Sequence, residues 1–377
     1  MTFIEYIKQQ NIEKLLLLSN QNSDSISDNT IVDILQKEKI DIEDFAILLS
    51  TPAEKRLKEI AQKARRLTIQ RFGKVITFYV PLYLSNECDN ACTYCGYNTN
   101  RKQERTTLSF IEIEAEMHKL KSIGFDSVLL LTGESKSKIG IDYLIKSVEI
   151  ARKYFTYVGL EIYPLSESEY KILVKRGASG LTIYQETYHP DTYDKIHLFG
   201  KKKDFNYRID TPDRALMGGF RKIGIGSLLG LYNWRYEAIH LALHVDYLRK
   251  KYWRQEVTLS FPRINPVSDD FILPYRVNDR DFVHLISVMR LYLEDVPFVL
   301  STREKGNLRD NLIELAITQI SAGSKTTPGG YQNIKVKSGQ FDVSDKRTLG
   351  EMINLIRQKG YDPVIKDWDK NFTGVIN

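Results

Sequence analysis

Three cysteines are the residues whose type and spacing most clearly point to chemistry. The chain has 377 residues and only Cys88, Cys92 and Cys95, in a CxxxCxxC pattern. Three thiolates on one loop can bind three irons of a [4Fe–4S] cluster and leave the fourth iron open to a small-molecule ligand. A structural zinc site needs a fourth protein ligand, and none lies nearby in the sequence. We therefore predict a cluster with one open iron, and a Cys₃His zinc site completed by a distant histidine is the alternative.

Composition excludes several classes of protein. The formal net charge of +6, from 54 basic and 48 acidic residues, falls short of the signature of a dedicated nucleic-acid binder. So few cysteines exclude a disulfide framework and indicate a reducing compartment. The apolar run Leu15–Leu18 is too short for a signal peptide, and no apolar stretch approaches the roughly 20 residues that span a bilayer. We expect a cytoplasmic protein with no membrane partner and no nucleic-acid partner.

The elements that must position the cysteines form an alternating pattern from residue 75 onwards. Short apolar strands alternate with amphipathic helices, two of which begin at the capping boxes Ser109-x-x-Glu112 and Ser166-x-x-Glu169. Another capping box, with proline at the first helical position, is predicted at Thr51–Glu54. The predicted strands are Val75–Leu84, Ser127–Leu131, Val158–Tyr163, Leu181–Gln185, Lys222–Leu231, Glu256–Phe261, Phe298–Ser301 and Ile317–Ile320.

Eight such units predict an α/β fold, a TIM-type (β/α)₈ barrel, rather than an open doubly wound sheet. We divide the chain into an N-terminal helical extension (1–74), the barrel (75–325) and a C-terminal extension that closes the barrel (326–377). Catalytic groups of such barrels lie just after the carboxyl ends of the strands. The cysteines follow the first predicted strand, so they lie at this end.

Other polar residues lie near predicted strand ends. Glu161 is a charge within the third strand, which favours a side chain pointing into the barrel over a structural ion pair. Arg303 follows the seventh strand and can bind a substrate carboxylate, the alternative being a surface salt bridge. The basic runs Lys201–Lys203 and Arg249–Lys251 are typical of solvated loops or helix ends. They also leave open a different class of protein, a zinc-stabilised RNA-binding protein.

The cysteine motif, with the aromatic Tyr94 before its last cysteine, resembles that of the radical S-adenosylmethionine (SAM) superfamily. The resemblance implies that SAM binds the open iron and that one electron cleaves it to methionine and a 5′-deoxyadenosyl radical. It places Tyr94 near the cluster or the adenine and Glu161 near the ribose. Glu134, in Thr132-Gly133-Glu134, matches a Gly-Gly-Glu-like segment that contacts the SAM amine, although threonine replaces the first glycine. Arg208 matches the arginine of biotin synthase that binds the SAM carboxylate.

Further segments resemble one family, the 2-iminoacetate synthases (tyrosine lyases) of thiamine biosynthesis. They are residues 78–86, 88–96, 131–134, 184–189, 300–304 and 324–331. The resemblance implies cleavage of the Cα–Cβ bond of L-tyrosine to p-cresol and 2-iminoacetate, which thiazole synthase consumes. It also implies a low-potential electron donor of the flavodoxin or ferredoxin type.

Analogy with the related tryptophan lyase assigns the tyrosine carboxylate to Arg303 and the amine to Tyr83 and Ser321. The tryptophan lyase itself remains an alternative. Relatives that carry a second cluster are disfavoured because the chain has no fourth cysteine. These relatives are the tyrosine lyase of hydrogenase maturation, biotin synthase and lipoyl synthase.

Overall fold

A closed parallel barrel of eight strands forms the centre of the molecule in a computed structural model, which describes residues 1–21, 26–264, 273–332 and 339–366. Each strand pairs with the next along the chain, and β8 pairs with β1 to close the barrel. The order is that of the predicted (β/α)₈ fold. The strands are β1 (Val75–Ser85), β2 (Ser127–Thr132), β3 (Tyr157–Glu161), β4 (Gly180–Glu186), β5 (Lys222–Ser227), β6 (Glu256–Ser260), β7 (Phe298–Leu300) and β8 (Gln319–Ser321).

Helices surround the strands and follow the predicted alternation. Because every strand is covered by helices outside the barrel, the strand sequences are apolar runs; all six residues of β2 are buried. The helices between the strands are α6 (Phe110–Ile123), α7 (Ile141–Tyr154), α8 (Glu167–Lys175), α9 (Pro190–Ile196), α10 (Phe205–Ile209), α11 (Thr211–Met217), α12 (Trp234–Lys251), α13 (Asp279–Tyr292) and α14 (Gly306–Leu315), with a 3₁₀ turn at Lys201–Lys203.

Two of the three predicted capping boxes are confirmed, and the third is wrong. Ser109 and Ser166 form the predicted capping boxes of α6 and α8. The predicted capping box at Thr51 is wrong, since Thr51 has helical backbone angles and its side chain caps nothing. A cap residue needs an extended backbone to turn its oxygen onto the next amides, whereas Thr51 has φ of −58° and ψ of −41°. A 3₁₀ turn, Pro52–Arg56, forms there instead.

Five α-helices lie in the described residues that precede the barrel. They are α1 (Phe3–Ile7), α2 (Ile12–Ser19), α3 (Asp28–Gln36), α4 (Ile42–Leu48) and α5 (Leu57–Phe72). The last of them packs against the barrel: Phe72 lies under the Arg290 guanidinium of α13, 4.8 Å from it, and the Thr68 hydroxyl donates to the Leu315 carbonyl of α14. Across the described helices, none is long and apolar enough to cross a membrane.

In its described residues, the C-terminal extension contains one helix and a strand that was not predicted. Helix α15 (Leu349–Gln358) begins at the capping residue Thr348 and leads to β9 (Asp362–Val364). The long β1 accepts β9 beside Val75–Thr77 and β2 beside Val80–Ser85. Because β8 occupies the other edge of β1, β2 and β9 share one edge. A three-residue strand containing proline carries no periodic signal, so only the partner strand reveals it.

Candidate active site

The cysteine loop, residues 88–95, lies at the carboxyl end of β1 and is held by the segment that follows α9. The Ala91 amide donates to the Phe199 carbonyl at 3.0 Å, and the Leu198 amide donates to the Ala91 carbonyl at 3.1 Å. Asn90 is buried in the loop; its amide nitrogen donates to Glu134 at 3.2 Å, and its oxygen accepts from the Lys202 amide at 2.9 Å. The loop is thus fixed to Glu134, just after β2, and to the segment between α9 and the 3₁₀ turn at Lys201–Lys203.

Two glycines allow backbone segments to approach the cysteine loop closely. A β-carbon on Gly133 would lie 2.1 Å from the Glu87 carbonyl oxygen, and one on Gly96 would lie 2.4 Å from the Gly339 carbonyl oxygen. No side chain fits in either place. Gly133 therefore holds Glu134 against the loop, and Gly96 brings the C-terminal extension against the last cysteine.

All three cysteines line one cavity of about 540 Å³, together with Glu134 and Arg208. Within the described part of the chain, no three His, Cys, Asp or Glu side chains converge closely enough to hold a single metal ion. A [4Fe–4S] cluster does not require such convergence, because each thiolate binds a different iron. The donor set of three thiols around one cavity fits such a cluster with one iron left open.

Burial keeps these thiols protonated until a metal replaces the protons. It raises the pKa of Cys95 to about 11 and raises the pKa values of Cys88 and Cys92 as well. Since the thiolate is the metal ligand, binding of iron must release these protons.

Four buried charges meet beside the cysteines. Arg208 donates to Glu134 at 3.1 Å and to the Tyr184 carbonyl at 2.7 Å. The Lys202 ammonium lies 2.7 Å from Glu186 and 3.5 Å from Glu134. Burial alone would raise the pKa of both carboxyls, but Lys202 and Arg208 hold the pKa of each below its usual value. The group is therefore a neutral set of two carboxylates and two cations.

A second cavity, of about 900 Å³, continues from the first toward the barrel axis. Cys95, Glu161 and Lys202 line both. The predicted residues that line the second cavity are Tyr83, Tyr94, Cys95, Glu161, Arg303 and Ser321. The structure therefore brings all ten sequence-predicted site residues around two adjoining cavities.

The three residues predicted to bind substrate are each held by a neighbour. The Arg303 guanidinium lies 3.4 Å from the centre of the Phe341 ring. Tyr83 donates to the side-chain oxygen of Gln340 at 2.7 Å. Ser321 is buried, and its carbonyl accepts from Arg309 at 2.5 Å. These contacts fix the positions of the polar groups around the cavity.

Two further predicted residues line the second cavity, and one of them, Glu161, also lines the first. Burial, with repulsion from Glu186, raises the pKa of Glu161 to about 7. Glu161 ends β3 and lines both cavities, as the prediction of an inward-pointing charge requires. The Tyr94 hydroxyl lies 2.9 Å from Nε2 of His197, which fixes the phenol beside the last cysteine.

Sequence reasoning missed several residues of the site. The prediction that the basic run Lys201–Lys203 is solvated is wrong for Lys202. Its side chain is 11% exposed and lies between the carboxylates of Glu134 and Glu186. Glu186 lies in the family-like segment 184–189, but the sequence assigns it no role of its own. It is the one non-glycine residue in the described segments with positive φ, at 70°. Gln340 and Phe341 come from the C-terminal extension, beyond the family-like segment 324–331, and no motif in the sequence marks these two residues.

A barrel whose first strand leads into a CxxxCxxC loop, with buried charges beside the thiols, defines the class of radical SAM enzymes. Residues 82–243 match the model of the radical SAM superfamily, and residues 260–362 match the biotin and thiamin synthesis associated domain. The 2-iminoacetate synthase of Escherichia coli is 40% identical over 348 residues, covering 91% of this chain and 92% of that protein. That of Salmonella typhimurium is 41% identical, covering 87% of each. The chain belongs to the 2-iminoacetate synthase family.

Solved structures agree on the architecture. The crystal structure of HydG, a maturase of the [FeFe]-hydrogenase, superposes with a TM-score of 0.89 at 32% identity, covering 96% of this chain and 81% of that chain. Methylornithine synthase (PylB) superposes with a TM-score of 0.70 at 20% identity, covering 92% and 100% of the two chains, and shows the shared fold. The family membership makes the alternative of a zinc-stabilised RNA-binding protein wrong.

Proposed function

We propose that this protein is a radical SAM lyase that cleaves the Cα–Cβ bond of L-tyrosine to 2-iminoacetate and p-cresol for thiamine thiazole synthesis. The observation that carries the proposal is the pair of adjoining cavities. One is lined by the three thiols, and the other is lined by Arg303, a cation suited to an amino-acid carboxylate. Cys95 and Glu161 belong to both, so a cofactor in the first cavity borders a substrate in the second.

Cys88, Cys92 and Cys95 would hold a [4Fe–4S] cluster. Glu134 would receive the ammonium group of SAM and Arg208 its carboxylate. Tyr94 and Glu161 would contact the adenosine, as their places on the border of the second cavity allow. Cluster and SAM together supply, when bound, a carbon radical able to abstract a hydrogen atom.

Arg303 would bind the tyrosine carboxylate through its planar guanidinium, which matches a carboxylate with two parallel hydrogen bonds. The aromatic face of Phe341 holds that guanidinium at the cavity wall. The hydroxyl groups of Tyr83 and Ser321 would position the amine. This placement matters because a small displacement of the amine would change which hydrogen atom is lost.

Two protein partners follow from this function. Thiazole synthase would consume the 2-iminoacetate, and a low-potential flavodoxin or ferredoxin would supply the electron. This chain would take the electron from the donor and supply 2-iminoacetate to thiazole synthase. Its two described cavities would hold the cofactors and one small substrate.

The test is anaerobic incubation of the iron-reconstituted protein with SAM, dithionite and L-tyrosine. We expect p-cresol, 5′-deoxyadenosine and glyoxylate, the hydrolysis product of 2-iminoacetate. Replacement of L-tyrosine by L-tryptophan is the matched control. Formation of 3-methylindolic acid in that control, with no p-cresol from tyrosine, would assign the tryptophan lyase activity instead. Absence of products from both amino acids would reject the proposal.

A further inference from the structure

Lys202 lies inside the site although its two neighbours in the basic run face solvent. Lys201 and Lys203 are exposed, whereas the Lys202 side chain is 11% exposed. Two hydrogen bonds turn it inward: its amide donates 2.9 Å to Asn90 of the cysteine loop, and its carbonyl accepts from the Tyr193 hydroxyl. A buried lysine of this kind needs a reason beyond packing, because its desolvation is costly.

The ammonium group lies at the junction of the two cavities and lines the same cavity as all three cysteines. Its closest partner is Glu186, at 2.7 Å. Glu186 has a left-handed backbone with φ of 70°, which is strained for a residue with a β-carbon. The Leu228 amide, which donates 2.7 Å to the Glu186 carbonyl, helps to hold that conformation. The fold thus keeps a strained carboxylate and a buried cation together beside the thiols.

We propose that Lys202 is a positioning residue that sets the reduction potential of the cluster. The proposal rests on the presence of that cluster in the proposed function. Reduction would add one negative charge to a cluster held by the three cysteines, and a fixed cation nearby would stabilise that charge. Glu186 opposes this effect and anchors the ammonium. Removal of the cation should therefore lower the potential, and removal of the carboxylate charge should raise it.

The experiment is a potentiometric titration of the reconstituted holoenzyme without tyrosine, followed by the electron paramagnetic resonance signal of the reduced cluster. For Lys202→Met we expect the equilibrium constant for reduction to fall about tenfold, which for a one-electron couple is about 59 mV toward more negative potential. Lys202→Arg, which keeps the charge, should stay close to the wild type. Lys201→Met is the matched control, since it removes an exposed charge one position away, and it should leave the potential unchanged.

Glu186→Gln distinguishes an electrostatic effect on the potential from damage to the structure. It also tests the proposal if Lys202→Met does not take up iron. Electrostatics predicts that the potential rises in this variant, whereas general damage would shift both variants in the same direction. Iron content and melting temperature are measured for each variant. An unchanged potential in Lys202→Met, or an equal fall in Glu186→Gln, would overturn the proposal. Neither result depends on tyrosine cleavage, so this test is separate from that of the proposed function.

Discussion

The Tyr83 hydroxyl donates a 2.7 Å hydrogen bond to the side-chain oxygen of Gln340, which joins the first barrel strand to the C-terminal extension. The same extension meets the cysteine loop, where the Gly96 amide donates to the Gln340 carbonyl at 3.2 Å. One residue therefore contacts both the proposed amine-binding phenol and the end of the cluster loop. The C-terminal extension is part of the site and covers it from one side.

Replacement of Gln340 by leucine should weaken tyrosine binding. Gln340 holds the Tyr83 hydroxyl in place for the amine, and loss of one hydrogen bond of about 0.5–1.5 kcal/mol predicts that KM for tyrosine rises by up to about tenfold. In a double-mutant cycle, Tyr83→Phe with Gln340→Leu should cost less than the sum of the two single changes, since both partners are then apolar. Gln358→Leu, an exposed site on α15, is the control. Additive effects of the two changes would show that the hydrogen bond does not couple these residues.

Substitution of any of the three cysteines by serine should abolish cluster binding. Each thiolate would hold one iron, and the chain has no other cysteine to replace it. Iron content and visible absorbance after anaerobic reconstitution should fall to background, with product formation below detection. Thr99→Ser, an exposed change near the same loop, should retain about four irons per chain. A variant such as Cys92→Ser that keeps a full cluster would contradict the assignment of that ligand.

Arg303→Lys should raise KM for tyrosine with a smaller effect on kcat. Lysine keeps the charge but loses the two parallel hydrogen bonds and the flat contact with Phe341. Hydrogen bonds to charged groups contribute about 1.5–3 kcal/mol, which corresponds to roughly a tenfold to hundredfold change in kcat/KM. Arg249→Lys, on the exposed end of α12, is the matched control. Normal turnover at low tyrosine would exclude Arg303 as the carboxylate ligand.

Glu237 should make the stability of the protein depend on pH. Burial raises its pKa to about 7, although its carboxylate accepts hydrogen bonds from Thr187 and from the Tyr188 amide. Because the folded pKa lies above the usual 4.5, the folded state binds the proton more tightly. The free energy of unfolding should then fall as pH rises from about 4.5 through 7, by at most about 3 kcal/mol.

The isosteric Glu237→Gln variant should lack this part of the pH dependence. Denaturant unfolding at pH 5 and pH 8 measures it, with Glu13→Gln, an exposed change on α2, as the control. We expect the difference in unfolding free energy between Glu237→Gln and the wild type to favour the variant more at pH 8 than at pH 5. A difference that is the same at both pH values would show that Glu237 does not titrate in this range.

Strand positions could be predicted because the barrel strands are apolar runs between capped helices. The residues at which the strands end could not be predicted as closely. The fifth strand was predicted to reach Leu231, but β5 ends at Ser227, because its partner there, Glu186, is the last residue of β4. The third strand was predicted to reach Tyr163, whereas β3 ends at Glu161. Apolar residues after a strand pack in loops around the site as readily as in the strand itself, so composition does not mark the end.

The sequence by itself determined the cofactor chemistry, because CxxxCxxC is a local pattern and the number of cysteines is fixed by the chain. It also placed Glu134, Glu161 and Arg303 near strand ends, where a parallel barrel gathers them, and the resemblance to biotin synthase pointed to Arg208. Only the tertiary structure decided that Lys202 turns inward and that Gln340 reaches Tyr83. Three consecutive lysines look alike in the sequence, so nothing local indicates which of them faces inward. A contact between residues 83 and 340 depends on the closed barrel rather than on any local pattern.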